Sequence, residues 1–218
     1  MENLNLILLI CLIIPMSMML TVFKGHSRML CAFLLAGMFM CVFSGEINGL
    51  IASVYSLDTQ SIAVNVSPLV EEIAKAIPII FTAFLIKPTS QKLAEFSIAI
   101  GVGFATLENM CILLGSGNIS FGYAFFRAIG AGMMHGICTL IVGLAMKNVV
   151  EKKMVFFSGT LSALSVAVIY HSIYNMLISS RFIAAGIVLP VLTFAIIIIV
   201  STAKNKKSEK QDKEKING

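Results

Sequence analysis

The chain has 218 residues, of which 58% are hydrophobic and 12% charged, a mean hydropathy of +0.94 and a formal net charge of +5. Soluble domains carry roughly 25% charged residues, so this composition excludes a soluble globular protein and indicates an integral membrane protein. The surplus Lys and Arg lies in loops and in one tail, which excludes a basic nucleic-acid surface.

A helix needs about 20 apolar residues to cross a bilayer. Seven such segments are predicted, near 4–23, 29–54, 62–86, 93–115, 120–146, 154–179 and 182–202. They make an all-α, polytopic domain over 1–203, followed by a lysine-rich tail over 204–218 whose composition reads as disordered. The first segment opens MENLNLILLI, with no positively charged n-region and no A-x-A cleavage site, and reads as a retained helix. Breakers and charges mark the connections, among them Lys24-Gly25-His26-Ser27-Arg28, Lys87-Pro88-Thr89-Ser90 and Gly115-Ser116-Gly117-Asn118.

The loop charges set an orientation. Lys24, Arg28, Lys87, Lys92, Lys147, Lys152, Lys153 and six lysines of the tail fall on one side, and only Arg181 on the other. Lys and Arg collect on the cytoplasmic side, so the N-terminus is expected outside and the C-terminus inside. The five cysteines all lie in apolar segments, without a CxxC pair, and read as packing residues rather than a disulfide framework.

Against this background eight polar residues stand out within the helices: Glu46, Glu71, Glu72, Lys75, Glu108, Arg127, His135 and His171. Each charge at the centre of a membrane helix costs roughly 2.5–3.5 kcal/mol. Six would together exceed the roughly 5–15 kcal/mol that holds a typical domain together, so they must meet one another, water or a bound ion. With 1.5 Å per residue and alternating helix directions, Glu46, Glu71, Glu72, Glu108, Arg127 and His171 share a layer roughly 10–14 Å below the outer surface. His135 is expected about two turns deeper. Four Glu against Lys75 and Arg127 leave two negative charges, which either a divalent cation or two protonated glutamates would cancel.

Glu71-Glu72-Ile73-Ala74-Lys75 is the sharpest motif. Lys75 lies one turn after both acids and can pair with either. The two carboxylates point about 100° apart on a helix, so one is expected to act on water and the other to orient it or hold substrate. Pro68 and Pro78 flank the motif and loosen its backbone. Phe104-Ala105-Thr106-Leu107-Glu108-Asn109 follows Gly101 and Gly103, which permit close helix approach. His135 lies beside a ladder of small residues, Ala128, Gly132 and Gly136, expected to bring its helix close to others. His171 and Asn175 share a helix face one turn apart; the imidazole can bind metal or move protons, and the amide can donate to a developing oxyanion. Glu46 is expected to serve as a structural partner of Arg127. No HExxH, GxSxG or P-loop pattern is present.

In this order, EEIAK, FATLEN, Arg127 with His135, and HSIYN resemble the PrsW-type intramembrane proteases of the CAAX-protease and bacteriocin-processing superfamily of membrane glutamate or metallo peptidases. The likeness spans roughly residues 65–178. It implies an intramembrane endopeptidase that cuts a membrane-anchored protein near the extracytoplasmic face of a bacterial plasma membrane, with an anti-sigma-factor-like protein as substrate. It places function on Glu71, Glu72, Glu108, His135 and His171, with Lys75 and Arg127 in support. Asn175 matches the asparagine of the CAAX branch, which carries histidine where Glu108 stands. Two chemistries follow. Glu71 or Glu72 activates a water while His171 and Asn175 stabilise the oxyanion, or His171 joins Glu108 and His135 on a divalent metal such as zinc. A non-catalytic scaffold of the same fold and an ion or proton transporter are the rival readings; no internal inverted repeat supports the latter.

Overall fold

Apolar runs broken by Gly, Pro and Lys leave the chain little choice but helices, because a backbone in lipid must satisfy its own hydrogen bonds. The computed structural model describes residues 4–116, 120–150 and 156–217. Among them there are seven long helices and no strand: α1 (Leu4–Val22), α2 (Gly25–Tyr55), α3 (Ser67–Leu85), α4 (Ser90–Gly115), α5 (Phe121–Val150), α6 (Phe156–Ile178) and α7 (Ile183–Asn217). Five of these are long and apolar enough to cross a membrane: α2, α4, α5, α6 and the Ile183–Ala203 part of α7. The apolar part of α1, Ile7–Val22, is shorter, and α3 carries the three charges of the EEIAK motif. The chain is therefore a polytopic all-α membrane protein.

α5 is the central helix, packed against α3, α4, α6 and α7. α2 lies along α4, and α1 lies outside both. The main core joins Phe33, Phe96, Ile100, Met134, Cys138, Ala167 and Tyr174. Phe33 and Phe96 stack at 4.5 Å between ring centroids. Large apolar side chains such as Phe39, Leu50, Phe81, Leu161 and Ile199 point outward, as a lipid-facing surface requires. All five cysteines are free.

Glycine decides where backbones touch. A Cβ on Gly37 would overlap the carbonyl of Ile100, and one on Gly103 would overlap the carbonyl of Leu34. These two contacts press α2 onto α4. On α5 the outcome differs from the expected ladder: nothing lies within 4 Å of a Cβ built on Gly132 or Gly136. The close approach is made by the partner helix, where a Cβ on Gly101 of α4 would stand 2.5 Å from the carbonyl oxygen of His135. The ladder lies on a different face of α5 from the His135–Thr139 face that α4 meets.

The expected third helix begins at residue 62, but Ile62–Val66 is a π-helical turn, preceded by the short helical turn Thr59–Ser61, and α3 proper starts at Ser67. Pro68 then falls in the first turn, where its missing N–H costs nothing. Pro78 lies inside α3, and its carbonyl accepts a hydrogen bond from Thr82 Oγ1 at 2.6 Å. At the other end of the chain the helical backbone of α7 continues to Asn217, through the segment that composition reads as disordered. Its Lys, Glu and Gln are good helix formers, and they follow an apolar helix that is already nucleated.

Candidate active site and metal centre

Lys75 is the most deeply buried charge in the described structure, with none of its surface exposed. Its ammonium can only donate, so each neighbour of Nζ must accept. Glu72 Oε1 lies 2.6 Å away and His135 Nδ1 2.7 Å away. The Phe104 ring lies beneath it, with its centroid 4.6 Å from Nζ.

These contacts assign the imidazoles. With Nδ1 accepting from Lys75, His135 carries its hydrogen on Nε2 and donates to Glu108 Oε2 at 3.1 Å. Glu72 can only accept as a carboxylate, so His171 donates from Nδ1 to Glu72 Oε1 at 2.8 Å. A continuous network results: His171, Glu72, Lys75, His135, Glu108, and finally Arg127, whose Nη2 lies 3.4 Å from Glu108 Oε2. Five groups from α3, α4, α5 and α6 are thus joined in one buried chain with Arg127 at its end. The two histidine rings meet edge to face, 4.9 Å apart.

In and beside the network Glu71 Oε2, Glu72 Oε2 and Arg127 Nε are buried without a hydrogen-bond partner. The Nε2 lone pair of His171 is unspent, and it faces Glu71 Oε2 at 3.8 Å. That oxygen is buried and has no hydrogen-bond partner. Glu71, His135 and His171 present one donor atom each within 4.8 Å of one another. Ligands of one tetrahedral zinc at 2.0–2.2 Å stand roughly 3.4 Å apart. The donor types, the orphaned oxygen and the free imidazole nitrogen therefore fit a divalent ion. Glu72 behind His171 is the carboxylate that commonly orients a metal-binding imidazole. His135 fits only if one of its nitrogens exchanges its present partner, Lys75 or Glu108.

A cavity of about 110 Å³ adjoins this centre, lined by Cys41, Ser44, Gly45, Glu71, Phe104 and Glu108 among others. It is large enough for several waters. Glu71 faces it, and Glu72, with 1% of its surface exposed, does not.

The sequence expectations meet this geometry unevenly. Glu71, Glu72, Lys75, Glu108, Arg127, His135 and His171 converge. His135, expected deeper, is at the middle of the network, because Lys75 also lies one turn deeper than the two acids. Glu108, expected as a metal donor, accepts a hydrogen bond from His135, and the three side chains grouped closely enough to hold an ion are Glu71, His135 and His171. Asn175 does not join the cluster through the bond it makes: its Nδ2 donates to the Ala63 carbonyl at 2.8 Å, in the π-helical turn before α3. Glu46 is exposed, and the ion pair of Arg127 is with Glu108. Ser44 and Asn48 face inward on α2, and a residue midway between them points out. Two further buried polar groups, to which the sequence assigned no partner, appear here. Asn48 Nδ2 donates to Ser67 Oγ at 2.9 Å, joining α2 to the start of α3, and Asn109 is buried beside Glu108.

A bundle of apolar helices around buried Glu, His and Lys side chains defines a polytopic membrane protein with a carboxylate–imidazole cluster in its interior. The chain belongs to the PrsW family of intramembrane metalloproteases: that family's model matches residues 25–201. It is accordingly an intramembrane protease of multi-pass topology, with a protein substrate and a lipid bilayer as surroundings. Comparison with curated proteins and with solved structures returned no match.

Proposed function

We propose that the chain is an endopeptidase that cleaves a membrane-anchored, anti-sigma-factor-like protein near the extracytoplasmic face of a bacterial plasma membrane, with Glu71 as the group that takes the proton of the attacking water. The observation that carries this reading is the inequality of the two adjacent glutamates. Each keeps one buried oxygen without a partner, but Glu72 Oε1 is held by Lys75 and His171, whereas Glu71 lines the cavity. General-base catalysis typically contributes about 10²–10⁴-fold.

His171 Nε2, His135 and one carboxylate oxygen of Glu71 would hold a divalent ion such as zinc, with the other Glu71 oxygen left to take the proton of water, and a bound ion would supply polarisation of the peptide carbonyl and a more acidic water. The other residues prepare that site. Glu72 fixes the His171 ring so that Nε2 faces Glu71. Lys75 compensates the charge of Glu72 and holds the His135 tautomer. Glu108 and Arg127 fix the far side of His135. Asn175 serves as a positioning residue, tying α6 to the turn that leads into α3. The charge asymmetry of the loops supports an outside N-terminus, which puts the Glu71 end of α3 toward the extracytoplasmic face.

The test is cleavage of a panel of single-pass membrane peptides by the purified protein in proteoliposomes, beside elemental analysis of the same preparation. The expected result is cleavage by the parent and none by Glu71→Gln of equal thermal stability. Full activity of Glu71→Gln sinks the assignment.

A further inference from the structure

α2 and α4 are pressed together at Gly37–Ile100 and Gly103–Leu34. Beyond these contacts, toward the end of α2 and α4 that holds Ser44 and Glu108, they part around the cavity that contains Glu71. α1 lies over this parting. Its Leu8, Leu9, Leu12 and Ile13 pack with Met38 and Leu107 and with Cys41, Val42 and Cys111. The last three also line the cavity. A wall one side chain thick therefore separates the reactive carboxylate from an apolar helix.

We propose that the seam between α2 and α4 is where the transmembrane helix of the substrate docks to reach Glu71, and that α1, seated there in this structure, is the element that makes way for it. This rests on the protease reading above and adds the route and the kind of partner, a single apolar membrane helix. The occupant is identified by what already fits: α1 is itself such a helix, LNLILLICLIIPMSMMLTV. The family match begins at Gly25 and so runs from α2 onward, without α1.

The attachment of α1 is suited to exchange. Leu9 is the one residue of its described side chains that is fully buried. The hydrogen bond found between α1 and the other helices, among the described residues, is the weak contact of Cys31 Sγ to the Met16 carbonyl at 3.7 Å. Lipid tails are as apolar as Leu, so such a helix gains no hydrophobic free energy from staying against the bundle. One apolar helix can replace another at little net cost. The second half of α1 already stands off from α4, leaving a groove of about 700 Å³ between Met16, Met19 and Phe23 on one side and Leu34, Ala99 and Val102 on the other. The two-residue link to α2 ends at Gly25, which has φ +57° and open space around it. That is a place where the chain can swing.

The experiment uses the full chain carrying Glu71→Gln in bilayers, so that binding is read without cleavage. In one arm Leu12 is replaced by p-benzoylphenylalanine, and its photo-cross-link to α2 or α4 is measured with and without excess of a single-pass Leu/Ala peptide of about 20 residues. In the other arm the peptide carries the photoreactive group. The expected result is an α1 cross-link that falls about fivefold on adding peptide, with the peptide attaching to α2 near residues 41–45 or to α4 near 111–112. An α1 cross-link that stays unchanged, peptide attached to another face, or peptide that attaches nowhere overturns the proposal. Failure of the protease reading looks different: the peptide is captured at the seam but never cut by the protein with Glu71 intact.

Discussion

His171 Nδ1 lies 2.8 Å from Glu72 Oε1, and this one bond leaves Nε2 as the free lone pair, 3.8 Å from the unpartnered oxygen of Glu71. Adjacent glutamates, which look equivalent in the sequence, thereby have unequal surroundings. Glu71→Gln is expected to abolish cleavage and to weaken metal retention, with little change in the melting temperature of the metal-free protein, since Glu71 Oε2 supports no hydrogen bond. Glu72→Gln is expected to lose activity, to lower metal affinity about 10–100-fold, as loss of an orienting carboxylate does, and also to lower the melting temperature, because Lys75 and His171 lose the carboxylate they share. Metal content by elemental analysis at graded chelator concentration, beside thermal unfolding of both variants, checks this. Equal melting temperatures of the two metal-free variants would contradict the division of labour.

Lys75 donates to both Glu72 and His135 while wholly buried. Replacing one member of a buried ion pair typically costs about 3–5 kcal/mol, because its partner is left charged and alone. Lys75→Met is therefore expected to destabilise the fold severely, and Lys75→Met with Glu72→Met to recover a good part of that loss. The thermal stability of the single and double variants in one detergent decides it. Strict additivity would mean that the pair is not coupled.

Gly101 lies under His135. A methyl group there meets the His135 carbonyl at 2.5 Å, and a backbone atom has little room to give. Gly101→Ala should cost about 1–3 kcal/mol by overpacking, which outweighs the gain of up to about 1 kcal/mol in helix propensity. It should also lower activity by shifting His135. Gly132→Ala, with nothing within 4 Å, should be neutral or stabilising. Comparing the two by thermal unfolding and peptide cleavage tests the close-packed face directly.

Outside the membrane-spanning segments, Asp58 accepts hydrogen bonds from the N–H and hydroxyl of Ser61, both at 2.8 Å, and these hold its carboxyl below its ordinary range. A depressed carboxyl pKa contributes stability above the unfolded value and loses it as pH falls through the folded one. The difference in stability between the parent and Asp58→Ala should be constant near neutral pH and shrink below about pH 4. Thermal unfolding across pH 3–7 measures it, and a difference that grows on acidification would refute the assignment.

The composition and the apolar runs by themselves determined a polytopic helical membrane protein and the segments that form its helices. The reason is local: in lipid every backbone group must pair within its own segment, so segment content suffices. The ionisable residues worth attention were equally legible, because charges in apolar runs demand partners wherever those partners lie. The partners themselves were not legible. Which face of α2 turns inward separated Glu46 from Ser44 and Asn48, and that depends on the helices around it. Only the tertiary structure decided that Glu108 belongs to Arg127 and His135, that Asn175 holds Ala63, and that Gly101 rather than Gly132 lets α4 meet α5. It also decided which of two neighbouring glutamates faces the cavity. Those outcomes depend on helix rotation and on contacts between residues far apart in the chain, and a single helix carries no information about the angle at which its neighbours will meet it.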